Sequence, residues 1–395
     1  MGIFLLALCS SFVLSGCGDG KKSYEKGIRL AQEGNYTEAA QYLEAAIKEN
    51  KEKAEYYIGY GMILNGMGEY QQAIEQFELA YQDTDNRIAN ANNKQLFYGE
   101  ALAYFNLNQY DKSQEYCKKA LEFKEPGSMD ADILCSQGAV YEVLGEQEKA
   151  KEMYQQAIKK DKENWSAYLK KASLEEKLKE WEEAKKDYQL VIKASGQEKY
   201  EAYFRLYELC QSQGEEDTSE QILKEITQTK SKDPFVLCQI GRAYQYQGDE
   251  EKATEYFQKS LENGYAESEY YLGMNAMSKK DYDGAESYFK AYLKSKGQFR
   301  ALAYNQLAGC SIEKGDYAKA SEYLDAGLQI SDSADRALLW QNQILVYERE
   351  RFFQKAKKSA KEYLSVYPQD EKMKKELEFI KTRTKQKKRK QENLQ

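Results

Sequence analysis

The sequence predicts an all-α fold built from about ten consecutive helical hairpins. Segments of similar pattern recur, each beginning with a small residue, at intervals of 34, 40, 37, 34, 35, 34, 32, 35 and 36 residues. Proline is nearly absent, with 3 residues among 395, whereas residues that lose little side-chain freedom in a helix, such as Ala, Glu, Lys and Leu, are abundant. The segments begin at Ala39, Ala73, Ser113, Ala150, Ala184, Ser219, Ala253, Ala285, Ala320 and Ala356.

Each repeat carries the signals of two helices joined by a short turn. A small residue recurs in the first helix, a turn such as EGNY or KGDY follows, and an aromatic residue often comes next. Glycine ends a helix by adopting a left-handed conformation that other residues avoid. The small residues are Gly27, Gly61, Ala101, Gly138, Ala172, Gly241, Gly273 and Ala308, with Tyr207 and Ile344 in the sixth and tenth repeats. The aromatic residues are Tyr36, Tyr70, Tyr110, Trp181, Tyr282, Tyr317 and Phe353.

This pattern resembles the tetratricopeptide repeat (TPR) family over residues 22–368. The resemblance implies a right-handed TPR-type solenoid, in which hairpins stack because one hairpin cannot bury its own apolar stripe. Such an array needs a polar end cap. Residues 370–384 fit this role, because Met373, Leu377 and Ile380 share one helical face. We therefore expect a TPR array at 22–368, followed by a capping helix and a basic tail at 369–395.

Two longer intervals predict insertions between repeats. They fall at residues 84–92 (TDNRIANAN) and 124–131 (KEPGSMDA), and both segments are rich in turn-forming residues. We expect both to be surface features that are available to a partner.

Residues 1–16 have the pattern of a signal peptide. Their apolar run has the length of a signal-peptide core and is too short to span a bilayer. It ends in Leu14-Ser15-Gly16-Cys17, which resembles the lipobox of bacterial lipoproteins. The resemblance implies cleavage before Cys17, a diacylglycerol lipid on its thiol, a tether at 17–21, and a location on the extracytoplasmic face of the bacterial cell membrane. No Lys or Arg precedes the apolar run, which indicates that the true start lies upstream.

The alternative for this segment is a buried first helix over residues 3–14, with Cys9 and Cys17 as small core residues. Gly16 and Gly18 argue against it, because glycine is unfavourable in a packed helix.

The composition argues against an enzyme. The chain contains no histidine, so neither a Ser-His-Asp triad nor an imidazole-ligated zinc site can be built. The stretch GYGMILNGMG at 59–68 is glycine-rich like a phosphate loop, but its glycines lie within and at the end of a predicted helix, with no strand before them. We expect no catalytic residue, no metal, and no cofactor apart from the lipid on Cys17.

Five further cysteines lie on predicted helices, and none forms a CxxC motif. We expect them to be free thiols in the core, where cysteine behaves as a small apolar residue. The alternative is disulfide bonding of Cys117 with Cys135 and of Cys210 with Cys238. The fifth cysteine is Cys310.

The segment 381–390 (KTRTKQKKRK) is strongly basic, in a chain whose net charge is −7. One interpretation is contact with anionic lipid headgroups or cell-wall polymers. The other interpretation, which the sequence favours, is a disordered solubilising end. The acidic remainder of the chain, together with export, argues against a nucleic-acid partner.

The TPR resemblance implies a concave groove lined by side chains of the first helices. Side-chain amides at equivalent positions of neighbouring repeats carry both donors and acceptors and can bind the backbone of an extended peptide, while tyrosines add rigid apolar area. Ordinary exposed surface is the alternative. The carboxylate clamp of TPRs that hold chaperone C-termini is not evident, since Tyr24 and Ile28 occupy its key positions. The candidates are Gln239, Arg242, Tyr246, Tyr270, Tyr271, Asn305, Gln306, Gln341 and Asn342, with Phe235, Met274, Met277 and Arg349 beside them.

These observations predict a membrane-anchored extracytoplasmic scaffold that binds a protein or extended peptide in cell-envelope assembly, secretion or peptide sensing. One alternative is an outer-membrane-associated assembly factor for pili or envelope proteins. A peptide-responsive regulator is a further alternative, but such proteins normally carry a DNA-binding head, for which residues 1–21 leave no room.

Overall fold

The computed structural model describes residues 20–32, 35–124, 129–194, 196–295, 297, 299–330 and 333–392. Over these residues the secondary structure consists of 21 α-helices without a strand, which confirms the predicted all-α fold. Cys9, Cys17 and the rest of segment 1–19 lie outside the described residues. The signal peptide and the lipobox therefore stay predictions.

The helices alternate between the first and the second helix of ten successive hairpins. The first helices are α1 (Lys21–Gln32), α3 (Ala54–Met67), α5 (Arg87–Asn106), α7 (Met129–Val143), α9 (Trp165–Lys177), α11 (Glu198–Ser212), α13 (Pro234–Tyr246), α15 (Glu267–Ser278), α17 (Arg300–Glu313) and α19 (Ser333–Arg349). The second helices are α2 (Tyr36–Glu49), α4 (Tyr70–Ala80), α6 (Tyr110–Glu122), α8 (Gln147–Lys160), α10 (Trp181–Ile192), α12 (Glu216–Thr227), α14 (Glu250–Glu262), α16 (Tyr282–Tyr292), α18 (Tyr317–Ile330) and α20 (Phe353–Val366). The final helix is α21 (Glu371–Glu392). Each of the seven aromatic residues singled out in the sequence is the first residue of a second helix.

The chain divides into two compact units, Met1–Glu225 and Ile226–Gln395. From α1 to α11 in the first unit and from α13 to α21 in the second, each helix packs on the next one along the chain. Successive first helices also touch, from α1 to α11 in the first unit and from α13 to α19 in the second. The first helices of each unit therefore lie side by side, and we call the surface of α13, α15, α17 and α19 the first-helix face of the second unit.

Close packing within a hairpin depends on a pair of residues at a fixed spacing along the chain. At Gly241 an added Cβ would lie 2.6 Å from the ring of Phe257, and at Gly273 it would lie 2.6 Å from the ring of Phe289. The missing side chain on the first helix thus makes room for a large one on the second. The pairs are Gly27–Leu43, Gly61–Phe77, Ala101–Cys117, Gly138–Tyr154, Ala172–Tyr188, Gly241–Phe257, Gly273–Phe289 and Ala308–Leu324, and their second members are all buried.

The sixth and tenth hairpins depart from this rule in different ways. In the tenth the sizes are exchanged, because Ile344 on the first helix is buried in the same apolar cluster as Ala360 on the second. In the sixth, Tyr207 is half-buried against the apolar cluster of its neighbourhood. Both hairpins therefore form despite the missing small residue.

In nine hairpins the turn between the paired helices holds one residue in the left-handed conformation, and in four of these turns it is not glycine. It lies seven positions after the repeat position that the small residue, or Tyr207 or Ile344, occupies. A left-handed backbone costs an ordinary L-residue about 1–2 kcal/mol, so the turns at Lys179, Lys280 and Arg351 are strained. The residues are Gly68, Asn108, Gly145, Lys179, Gly214, Gly248, Lys280, Gly315 and Arg351.

We expect Lys280→Gly to raise the free energy of unfolding of the second unit by about 0.5–1 kcal/mol, because glycine removes the strain but also loosens the unfolded chain. Lys280 has φ of 59°. The matched control is Lys279→Gly, since Lys279 has φ of −79° and glycine there should destabilise by about 0.5–1 kcal/mol. Urea unfolding of both variants checks the expectation, which fails if the two substitutions act in the same direction.

The insertion expected at 84–92 is exposed over residues 84–88, as expected, but much of it is helical, because α5 begins at Arg87. Asn86 caps this helix, its side chain accepting a hydrogen bond from the Ala89 amide at 2.9 Å. Asn93 is buried and binds the Gln82 backbone in both directions, at 3.1 and 2.7 Å. Most of the extra residues therefore lengthen a first helix. In the second insertion, residues 125–128 lie outside the described residues.

The final helix, α21, forms the predicted cap. Met373, Leu377 and Ile380 are buried in one apolar cluster with Ile344 and Tyr363 of the tenth hairpin. The helix continues to Glu392, so the structure describes residues 381–390 as helix rather than as a disordered end. No helix in the described part of the chain is both long enough and apolar enough to cross a bilayer.

Candidate functional site

The predicted groove residues all belong to the first helices of the second unit. Those of the seventh hairpin are on α13, those of the eighth on α15, and those of the ninth and tenth on α17 and α19. Because these four helices touch in sequence, equivalent side chains of neighbouring hairpins come within reach of one another.

Arg242 links the first two of these helices. Its Nη1 donates a hydrogen bond to Oε1 of Gln239 at 2.8 Å, and its guanidinium carbon lies 5.3 Å from the ring centroid of Tyr271 on α15. Gln239 is buried, whereas Tyr246 at the end of α13 is exposed. Of the seventh hairpin's candidates, Tyr246 is exposed and Arg242 is half-buried, with Gln239 supporting Arg242 from below.

Tyr270 lies in the core rather than at the surface. Its ring is 5.1 Å from that of Phe299 and 5.7 Å from that of Phe289, and burial raises the pKa of its hydroxyl, which also bonds Gln306. Tyr271 is half-buried and stacks on Phe257 at 5.4 Å. Only Tyr271 of this tyrosine pair is placed where a ligand could touch its ring.

Asn305 and Asn342 come together across two hairpins. The amide nitrogen of Asn342 donates a hydrogen bond to Oδ1 of Asn305 at 2.7 Å, although the residues are 37 positions apart. Both side chains are half-buried. The bond does not use the amide nitrogen of Asn305 or the amide oxygen of Asn342, and neither atom has a partner among the described residues. One donor and one acceptor therefore stand next to each other.

Gln341 is directed away from this amide pair. Its nitrogen donates to the Tyr363 hydroxyl at 2.7 Å and to Oδ2 of Asp370 at 2.8 Å. Asp370 also accepts from the Met373 amide at 2.9 Å. Gln341 therefore joins the tenth hairpin to the cap helix, and its donors are used within the fold.

Family models cover most of the repeat region. One tetratricopeptide repeat model matches residues 24–92, 135–199 and 270–335, and a second matches residues 95–126 and 236–263. The chain belongs to the tetratricopeptide repeat family. The matches leave out most of the sixth and tenth TPR hairpins, whose first helices carry Tyr207 and Ile344 at the position of the small residue. No curated protein matches the sequence.

Several solved TPR structures are similar to this chain at low identity. PilF of Pseudomonas aeruginosa is 16% identical, with a TM-score of 0.44, covering 53% of this chain and 90% of that one. A tetratricopeptide repeat protein of Parabacteroides merdae is 17% identical, with a TM-score of 0.41, covering 62% of this chain and 94% of that one. A thermophilic TPR protein of Thermus thermophilus is 18% identical, with a TM-score of 0.41, covering 48% of this chain and 98% of that one.

Two exposed leucines of the last TPR hairpin were missed by the sequence analysis. Leu338 and Leu345 are 43% and 45% exposed, and they lie four positions before and three after Asn342, which places all three on one side of α19. Counting positions in the repeat from Ile344 would have found them. Met274 and Met277 on α15 are half-buried on the same first-helix face, so apolar side chains stand on both sides of the amide pair.

The five described thiols are free and buried, as expected. Burial raises the pKa of Cys117 and Cys238 to about 12 and that of Cys135, Cys210 and Cys310 to about 11. Because the thiolate is the reactive form, these cysteines are inert while their hairpins stay folded. The described residues contain no group of three or more Cys, Asp or Glu side chains that could hold a metal ion.

Proposed function

We propose that this TPR protein is an interaction scaffold that binds an extended segment of a protein or peptide on the first-helix face of its second unit. The observation that carries the proposal is the hydrogen bond between Asn342 and Asn305. It fixes both side chains and leaves one amide donor and one amide acceptor side by side, the pair of groups that a peptide backbone complements. Exposed Leu338 and Leu345 on the same side of α19 offer contacts for apolar side chains of the ligand.

Replacing both Asn305 and Asn342 with alanine should weaken partner binding roughly tenfold, because two hydrogen bonds of about 0.5–1.5 kcal/mol each are lost. A photo-crosslinking residue at position 345, introduced in living cells and read by mass spectrometry, measures capture. The matched control removes two exposed amides from second helices, Gln258→Ala with Gln329→Ala. The proposal is contradicted if the control lowers capture as much as the test variant.

We also propose that the scaffold is held at the extracytoplasmic face of the membrane by a lipid on Cys17. Support comes from the lipobox-like Leu14-Ser15-Gly16-Cys17 after an apolar run. Two acyl chains give stable anchoring, whereas one is marginal. Anchoring would place the binding surface where a partner in envelope assembly, secretion or peptide sensing can reach it. Contact of residues 381–390 with an anionic lipid or cell-wall polymer is part of this proposal.

Cys17→Ser should abolish lipid attachment and leave the signal segment uncleaved, because the thiol is the group that is acylated. Intact-mass measurement and membrane fractionation check this. Cys9→Ser is the matched control and should leave both unchanged. An unchanged mass and membrane fraction in Cys17→Ser would rule out the anchor.

A further inference from the structure

The outward face of the cap helix α21 carries an exposed aromatic ring among basic side chains. Phe379 is 45% exposed, and the guanidinium carbon of Arg383 lies 5.0 Å from its ring centroid. Lys372 and Lys375 are exposed and lie seven and four positions before Phe379, so they share its side of the helix. The opposite face of α21 is the one buried against the tenth hairpin.

The charge of α21 is opposite to that of the whole chain. Its sequence EKMKKELEFIKTRTKQKKRKQE holds ten Lys and Arg residues and four Glu residues, while the net charge of the protein is −7. The basic residues are therefore concentrated in one helix at the end of an otherwise acidic protein. Such a distribution favours an anionic partner for this helix.

We infer that this face of α21 binds the surface of an anionic lipid bilayer. Lys372, Lys375 and Arg383 would contact the headgroups, and the ring of Phe379 would enter the interface between headgroups and acyl chains. A bilayer satisfies both halves of the face, since aromatic rings are favoured at this depth and basic side chains are attracted to anionic headgroups. A hydrophilic polymer would engage the cations but give the exposed ring no apolar environment.

This inference rests on the proposed contact of residues 381–390 with an anionic surface, and it extends that contact to the ordered face of the cap helix. It is separable from the anchor and from the peptide site. In the experiment below, the full chain carries Cys17→Ser and no peptide is present, so failure of either of those proposals leaves the result unchanged. Residues 1–16 are common to every variant compared.

Co-sedimentation with vesicles of phosphatidylglycerol and phosphatidylcholine, and with vesicles of phosphatidylcholine alone, tests the inference. We expect at least tenfold tighter binding to the anionic vesicles, and we expect 1 M salt to weaken it strongly, because salt screens exposed charges. Lys372→Glu with Lys375→Glu and Arg383→Glu should reduce binding at least tenfold. Phe379→Ala should reduce it two- to fivefold. Trp340 packs against the apolar cluster that joins α21 to the tenth hairpin, so its fluorescence reports whether α21 stays packed on that hairpin.

Two matched controls complete the test. Charge reversal of exposed lysines elsewhere, Lys118, Lys159 and Lys162, should change vesicle binding less than threefold, and Leu345→Ala, which removes an equally exposed apolar side chain, should not change it. Equal binding to both vesicle types, or equal loss in the charge control, would overturn the inference. So would an unaltered Phe379→Ala variant combined with full competition by soluble polyphosphate, which would indicate a polymer partner instead.

Discussion

Phe257→Ala is expected to lower the free energy of unfolding of the second unit by about 3–5 kcal/mol, the usual cost of removing a buried phenylalanine side chain. The ring is fully buried. It covers Gly241, where an added Cβ would lie 2.6 Å from the ring, and it stacks on Tyr271 at 5.4 Å. Its loss would therefore leave a cavity between the two helices of the hairpin and loosen a residue of the first-helix face.

Cys238 reports this loss directly, because its buried thiol belongs to the same apolar cluster as Phe257. Thiol labelling in increasing urea, read peptide by peptide with mass spectrometry, should show Cys238 becoming reactive at lower urea in the variant. Cys117 and Cys135 belong to the first unit and serve as internal references. Their labelling should not change.

The tenth hairpin supplies a design for a compensating change. There Ile344 and Ala360 hold the two positions with their sizes exchanged, so Gly241→Ile combined with Phe257→Ala should recover part of the lost stability. A loss below about 1 kcal/mol in Phe257→Ala would contradict the view that this pair governs hairpin packing. A double variant less stable than the single one would show that the exchange works only in the context of the last hairpin.

Most of the fold was predictable because the signals are local and repeated. The pairs such as Gly241 and Phe257 recur at one fixed spacing in the sequence, and the second helices begin at the aromatic residues expected. The surface insertion at 84–92 was predictable, but its helical part was not, because turn-forming residues were counted without their partners. Asn86 caps a helix and Asn93 binds the Gln82 backbone, and in these contacts asparagine favours the start of a longer helix over a loop.

The candidate site was only partly predictable, because side-chain direction depends on residues far along the chain. Equivalent positions of Asn305 and Asn342 were visible in the sequence, but their mutual hydrogen bond was not. Tyr270 is buried because Phe299, from the segment after the next helix, packs on it. Gln341 is engaged by Asp370, which precedes the cap helix. Repeat position alone therefore identifies the face and leaves open which of its side chains reach the surface.

Lys171→Met is expected to destabilise the first unit by about 3–5 kcal/mol at neutral pH, because it leaves buried carboxylates without their cation. The ammonium of Lys171 lies 2.5 Å from Oδ2 of Asp187 and 2.6 Å from Oε1 of Glu175. Glu175 is 1% exposed and Asp187 is 7% exposed. Lys151 lies 3.5 Å from Glu175 but is also bound to Glu180, so it cannot neutralise both buried carboxylates.

The pH dependence separates this explanation from a simple packing defect. Burial alone would lower the pKa of Lys171, but hydrogen bonds to Asp187 and Glu175 outweigh it and raise the pKa. A cation with a raised pKa contributes its full stability below its ordinary pKa and loses it only as pH rises through the higher folded value. The wild-type contribution is therefore present at neutral pH. The deficit of Lys171→Met should therefore stay unchanged from neutral pH up to the ordinary pKa of lysine, and it should shrink as pH rises through the raised folded pKa of Lys171.

The measurement is urea unfolding followed by fluorescence of Trp165 and Trp181, which pack in the apolar cluster beside this network, in a Trp340→Phe background. Lys170→Met, one residue away, is the matched control and should cost about 0.5 kcal/mol or less. Removing all three charges, as Lys171→Met with Glu175→Leu and Asp187→Leu, should restore most of the stability, since a buried ion group can be replaced by apolar side chains at little cost. If the triple variant is as unstable as the single one, the charges are not the cause. Recovery in the triple variant would mean that these ions contribute little net stability, and that the fold depends on keeping them paired.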